Sequence, residues 1–266
     1  MRTEQTFHSR THVFIGEEPV TKSLFMKWSY RIARITGIDV RIHLSFVLLP
    51  VIFGFLSWRD DGPIAAGESV LFILLLFFCV VLHEFGHALA GKRFGIRTPD
   101  ITLLPIGGVA RMERMPEKPS QELVIALAGP AVNVAIAGGL AAVLSATGGL
   151  LIASPEAWRS VAQNLMTINI ALVMFNLIPA FPMDGGRVLR SLLGFALPFT
   201  TASRIAARTG QVMAVLFAIS GFYWNPMLLL IAFFVFNGAR QEIEYIRQRE
   251  EFDALISGMN SREELP

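Results

Sequence analysis

Five stretches of this chain contain no Asp, Glu, Lys or Arg: residues 42–58, 69–82, 123–155, 160–183 and 209–239. A bilayer core about 30 Å thick needs about 20 helical residues at 1.5 Å each, and most of the stretches reach that length. The second continues in a helical pattern through His83 to Gly91 before Lys92 stops it. The last is interrupted at Gly221-Phe222-Tyr223-Trp224-Asn225-Pro226, a turn-forming sequence, and reads as two short helices. Six crossings follow, and an all-α polytopic membrane protein is expected. With 17% charged residues the chain falls well below the roughly one quarter of a globular domain.

Positive residues stay on the cytoplasmic side of short loops. Of the 23 Lys and Arg, all but two lie in residues 1–41, 92–122, 187–208 and 240–266. The other two loops hold one each, Arg59 and Arg159, so both termini are expected in the cytoplasm. The chain then divides into a basic cytoplasmic segment (1–41), a membrane unit (42–239) and a cytoplasmic tail (240–266). The tail reads as a short amphipathic helix or a solvated end. The first apolar stretch starts late and lacks a small-residue cleavage site, so no signal peptide is expected. A net charge of +2 does not suggest a nucleic-acid partner. The single cysteine, Cys79, excludes an intramolecular disulfide framework and a cysteine-rich zinc cluster.

Inside the second stretch lies His83-Glu84-Phe85-Gly86-His87, the pattern H-E-x-x-H. Residues four apart share a helix face, so two neutral imidazoles can hold one zinc ion while Glu84 reaches a water on it. In an apolar helix each of these polar groups carries a burial cost and needs partners. The alternative is a polar patch that glues helices together. Catalytic zinc takes three protein ligands and a water, so a third side chain must come from elsewhere. Glu113, Glu117 and Glu122 are candidates by identity, but they lie in or beside a basic loop. Asp184 is better placed, at the end of Asn176-Leu177-Ile178-Pro179-Ala180-Phe181-Pro182-Met183-Asp184-Gly185-Gly186. Pro179 and Pro182 must stop a regular helix, and the two glycines permit a sharp turn that aims the carboxylate sideways. Between His87 and Asp184 the chain crosses twice and returns to the same side. The metal is expected on the order of 12 Å inside the helix end at Gly91.

These residues resemble the site-2 proteases, zinc metalloproteases that cleave peptide bonds within membranes. The likeness covers about Gly37 to Arg190 and includes Arg41-Ile42-His43, Pro105-Ile106-Gly107-Gly108-Val109 and Gly129-Pro130-Ala131-Val132-Asn133. The sporulation-type branch, with six membrane helices and neither a PDZ nor a CBS module, is the nearest in pattern. The resemblance implies that His83, His87 and Asp184 bind one Zn2+ and that Glu84 is the general base. It also implies an asparagine that stabilises negative charge on the scissile carbonyl, Asn176 or Asn133. Helix packing is the competing role for Asn133.

A helical substrate shields its carbonyls and must be unwound, so an extended segment is expected to add to an edge strand. Ile101–Leu104 and Val109–Met112, flanking Pro105-Ile106-Gly107-Gly108, suit a short membrane-dipping β-hairpin, which makes Gly107 and Gly108 candidate substrate-binding residues. His43 suits the start of the first helix, and Arg187 and Arg190 suit anchors at cytosolic headgroups. The implied partners are a transmembrane protein substrate, the bilayer and a regulatory membrane protein. The implied location is the cell (inner) membrane of a prokaryote. Two rivals remain: a membrane metalloprotease with a glutamate as third ligand, and a metal transporter with an intramembrane His/Asp site.

Overall fold

The computed structural model describes residues 28–116, 118–146 and 156–263. Residues 1–27 of the expected cytoplasmic segment and the candidate ligand Glu117 lie outside the described residues. Seven helices follow in chain order: α1 (Leu48–Asp61), α2 (Pro63–Arg93), α3 (Pro119–Ala146), α4 (Glu156–Asn176), α5 (Asp184–Gly194), α6 (Phe199–Tyr223) and α7 (Met227–Glu263). Four strands accompany them: β1 (Ser29–Ile35), β2 (Ile38–His43), β3 (Asp100–Leu104) and β4 (Gly107–Arg111).

The all-α expectation is therefore corrected, because the expected hairpin is half of a four-stranded sheet ordered β1-β2-β3-β4. Ile38, Val40 and Ile42 alternate with polar residues along β2, a period-two pattern. The turn before it, Thr36-Gly37, has φ of 52° and 91°, the left-handed geometry of a two-residue hairpin that matches strand twist. Arg31, Arg34 and Arg41 all approach Asp39 at 3.6–3.7 Å, with Arg31 and Arg34 still largely exposed. Strands β2 and β3 pair in parallel, with Val40 opposite Ile101, and β3 and β4 pair antiparallel. Ile38, Val40 and Ile101 bury against Phe85 and Ala88 of α2. That contact sets the sheet beside the H-E-x-x-H turn, with β4 as the edge strand nearest it. The hairpin turn itself is Pro105-Ile106, and Gly107, with φ +136°, begins β4. His43 caps the short 3-10 turn Leu44–Val47 that leads into α1, its Nδ1 accepting the Ser45 N–H.

Among the described residues, α2, α3 and α6 are long and apolar enough to cross a membrane, and α4 contributes the shorter apolar segment Val161–Asn176. Proline at the first position of α2 and Lys92-Arg93 in its last turn bound that helix. Helix α2 approaches α3 closely because Gly86 has no side chain; a Cβ there would lie 2.6 Å from the Ala128 carbonyl oxygen. The break in the last stretch is Trp224-Asn225-Pro226, where Asn225 Oδ1 accepts the Met227 N–H and starts α7. The helices on either side have 25 and 37 residues rather than being short. The tail after Arg240 simply continues α7.

Two expectations about charge are also corrected. Arg190 is not at the headgroups but 1% exposed, with its Nε 2.9 Å from Glu122 Oε1 and its other nitrogens donating to Glu122 and Glu242. Glu122 is correspondingly buried rather than solvated. Burial pushes the Glu242 carboxyl above its ordinary range, against the pull of Arg190.

The Gly86→Ala variant should lose about 1–3 kcal/mol of stability through overpacking of the α2–α3 crossing. Chemical unfolding in detergent measures this. Gly138→Ala, which meets nothing within 4 Å, should be neutral or stabilising.

Candidate metal centre

One helical turn of α2 puts His83 and His87 side by side with ring centroids 4.7 Å apart and Nε2 atoms 3.0 Å apart. Asp184 Oδ2 lies 3.2 Å from each Nε2. All three residues are buried, and among the described residues they are the one group of three His, Cys, Asp or Glu donors that converge on a common point.

The remaining ring nitrogens decide what this triangle can hold. His83 Nδ1 is 3.0 Å from the side-chain oxygen of Asn133, and His87 Nδ1 is 2.7 Å from the Ile125 carbonyl oxygen. Both oxygens can only accept, so each Nδ1 carries a proton, and in the neutral imidazoles each Nε2 presents a lone pair toward the carboxylate. Three electron-rich atoms facing one another need a cation between them. Tetrahedral zinc, with ligand distances of about 2.0–2.2 Å, places its ligands about 3.3 Å apart. Edges of 3.0 to 3.2 Å are close to that spacing, and the two-nitrogen, one-oxygen donor set suits zinc.

Neighbouring elements hold the donors in place. Gly129 of α3 lies directly against the two imidazoles; a Cβ on it would sit 2.2 Å from His87 Nε2 and 2.7 Å from His83 Nε2. This position was hidden in a segment read for helix packing, and its signal was only a small residue four before Asn133. The chain from Leu177 to Met183 packs tightly on the start of α5. A Cβ on Gly185 would fall 2.2 Å from the Ile178 carbonyl oxygen, so the two glycines serve close approach rather than a turn. Ala180, Phe181 and Met183 are in turn buried against Ala206, Ala207 and Ala214 of α6 and Val235 of α7.

A cavity of about 400 Å3 opens on the donors. All eight residues singled out in the sequence line it: His83, Glu84, His87, Gly107, Gly108, Asn133, Asn176 and Asp184. The edge strand touches Glu84 directly, since a Cβ on Gly108 would lie 2.7 Å from its Cγ. Asn133 is fully buried, and its Nδ2 finds no partner among the described residues. Of the glutamates considered as a third ligand, Glu113 is exposed in its loop and Glu122 is taken by Arg190. Arg187, one turn after Asp184, also lines the cavity, which a headgroup anchor would not. From His83 to the end of α2 at Arg93 the depth is about 15 Å, somewhat more than expected.

The profile of Peptidase family M50 matches residues 71–154 and 151–217. A zinc metalloprotease of Methanocaldococcus jannaschii is 39% identical over 218 residues, covering 82% of this chain and 61% of that protein. Stage IV sporulation protein FB of Bacillus subtilis is 28% identical over 180 residues, 66% of this chain and 59% of the relative. The chain thus spans about three fifths of the length of these two relatives. The solved structure of the site-2 protease from Methanocaldococcus jannaschii is similar with a TM-score of 0.57 and 36% identity, covering 81% of this chain and 95% of that one.

Gly129→Ala should weaken zinc binding at least tenfold, because both imidazoles are tethered through Nδ1 and cannot retreat without losing a partner of the kind worth about 10–100-fold in affinity. Zinc content after dialysis against a graded chelator measures it.

Proposed function

From the premise that the chain belongs to the M50 peptidases, the family of site-2 proteases, we propose that it is an intramembrane zinc metalloendopeptidase. Its substrates are membrane-spanning or membrane-anchored proteins, cut near the cytosolic side as a step in regulated intramembrane proteolysis. The observation that carries this reading is the buried triangle of His83, His87 and Asp184 on an apolar helix, with Glu84 beside it in a cavity.

In this reading His83, His87 and Asp184 hold one zinc ion. When bound, such an ion would supply Lewis acidity to a scissile carbonyl and to a water beside it. Glu84 takes the proton from that water and passes it to the departing amine. Asn176, at the end of α4 on the cavity wall, donates to the carbonyl oxygen as negative charge develops there. Asn133 keeps His83 in the tautomer that offers Nε2, and its unpartnered Nδ2 is a second donor on the same cavity. The substrate enters extended and pairs with the free edge of β4, where Gly107 and Gly108 line the cavity and the missing side chain of Gly108 leaves room beside Glu84.

Six crossings fit the same reading: α1 to α4, α6 and the apolar first half of α7, with the sheet, α5 and both termini on the cytosolic side. What supports it is the charge partition, in which two of 23 Lys and Arg fall outside the cytosolic segments.

Glu84→Gln should keep parental zinc content and lose about 10²–10⁴-fold in cleavage of a single-span substrate, the usual worth of a general base. Asp184→Ala should lose both. Cleavage at the parental rate by Glu84→Gln would remove the mechanism; zinc and activity retained in Asp184→Ala would favour a glutamate ligand. Metal transport that persists in Glu84→Gln liposomes, with no cleavage by the parent, would favour a transporter.

A further inference from the structure

Arg190 is the one lysine or arginine among the described residues that is fully enclosed, and nothing in the proposed chemistry uses it. Its guanidinium joins three helices. From α5 it donates through Nε and Nη2 to Glu122 of α3, and through Nη1 to Glu242 of α7. Its two faces carry the rings of Phe181 and Phe199, with centroids 5.0 and 5.1 Å from the central carbon.

Two of these contacts, Glu122 and Phe181, lead to the metal donors within one helical turn or one short loop. Glu122 lies three residues before Ile125, whose carbonyl holds His87. Phe181 lies three residues before Asp184, in the loop packed over the start of α5. Arg190 stands on the helix whose first residue is Asp184. The two imidazoles are oriented by α3, through Ile125 and Asn133, whereas the carboxylate arrives on a different segment. Something must keep α3 and α5 in register to a few tenths of an ångström.

We propose that Arg190 is a positioning residue for the metal centre, locking the Asp184 segment to the helix that orients His83 and His87. A planar fork with fixed donor directions can do this where a point charge cannot. Its enclosure makes the lock stiff, because separating α3 from α5 would leave a buried charge without its partner.

The inference rests on the zinc-site reading, and the test separates the two. The full chain is purified in detergent as parent, Arg190→Lys, Arg190→Gln and Glu122→Gln. Zinc affinity is measured by chelator competition, the visible absorption band of the Co2+-loaded protein reports donor geometry, and thermal unfolding of the metal-free form reports stability. Arg190→Lys should bind zinc about 10–100-fold more weakly, the usual effect of losing an outer partner, with a shifted cobalt band. Arg190→Gln and Glu122→Gln should do the same, and their combination should be no worse than Arg190→Gln alone, since both act through one contact. Arg204→Ala, which breaks an exposed pair with Glu250, should change neither readout. Parental affinity in the variants, or weaker binding with a parental cobalt band, overturns the proposal, the second by reducing the residue to general stability. Should neither Arg190 variant fold, Glu122→Gln decides by the same criteria. A parent chain that binds neither metal would instead sink the zinc-site reading.

Discussion

Two imidazole lone pairs and a carboxylate oxygen meet within 3.2 Å in a buried pocket, and only a cation makes that arrangement favourable. The rest of the fold can be understood as what is needed to bring the three together and keep them there. Helix α2 supplies the imidazoles with their spacing, but spacing alone does not choose which nitrogen faces inward. That choice belongs to α3, which lies close enough only because Gly86 and Gly129 remove side chains from the crossing. The carboxylate comes from outside this helix pair, on a loop enclosed by small residues of α6 and by α7, where Gly238 lies against Pro182.

The sheet solves a different problem. An open strand edge beside the metal donors leaves N–H and C=O groups unpaired on one side, so its other side has to be covered by further strands. Here β1, β2 and β3 provide that cover, and α2 supports them through Phe85 and Ala88. Of the sheet's two edge strands, β1 and β4, the second lies beside Glu84 and the metal donors. Gly108, where a Cβ would lie 2.7 Å from Glu84 Cγ, lets the edge approach the carboxylate closely.

The donor set was legible because its pattern is expensive: two histidines and a glutamate in an apolar run, and an aspartate after two helix-breaking prolines, have few structural reasons to exist. The three donors converge, and the other five marked residues line the same cavity. What escaped were features whose local chemistry is ambiguous. The hairpin Ser29–His43 carries arginines that look like a solvated segment, and their gathering around Asp39 leaves no mark on the pattern. Helix α5 follows a loop, and its Arg190 looks like any headgroup anchor, because a charge buried by partners 68 and 52 positions away leaves no local trace. Gly129 is a small residue in an apolar helix, and nothing local shows that it packs against the two imidazoles.

Helix α7 runs without interruption from Met227 to Glu263, about 55 Å at 1.5 Å per residue. Its apolar end, the stretch where Gly238 lies against Pro182 and its charged end are therefore parts of one continuous helix, so the charged end and the segment that packs against the chain before Asp184 share a single axis.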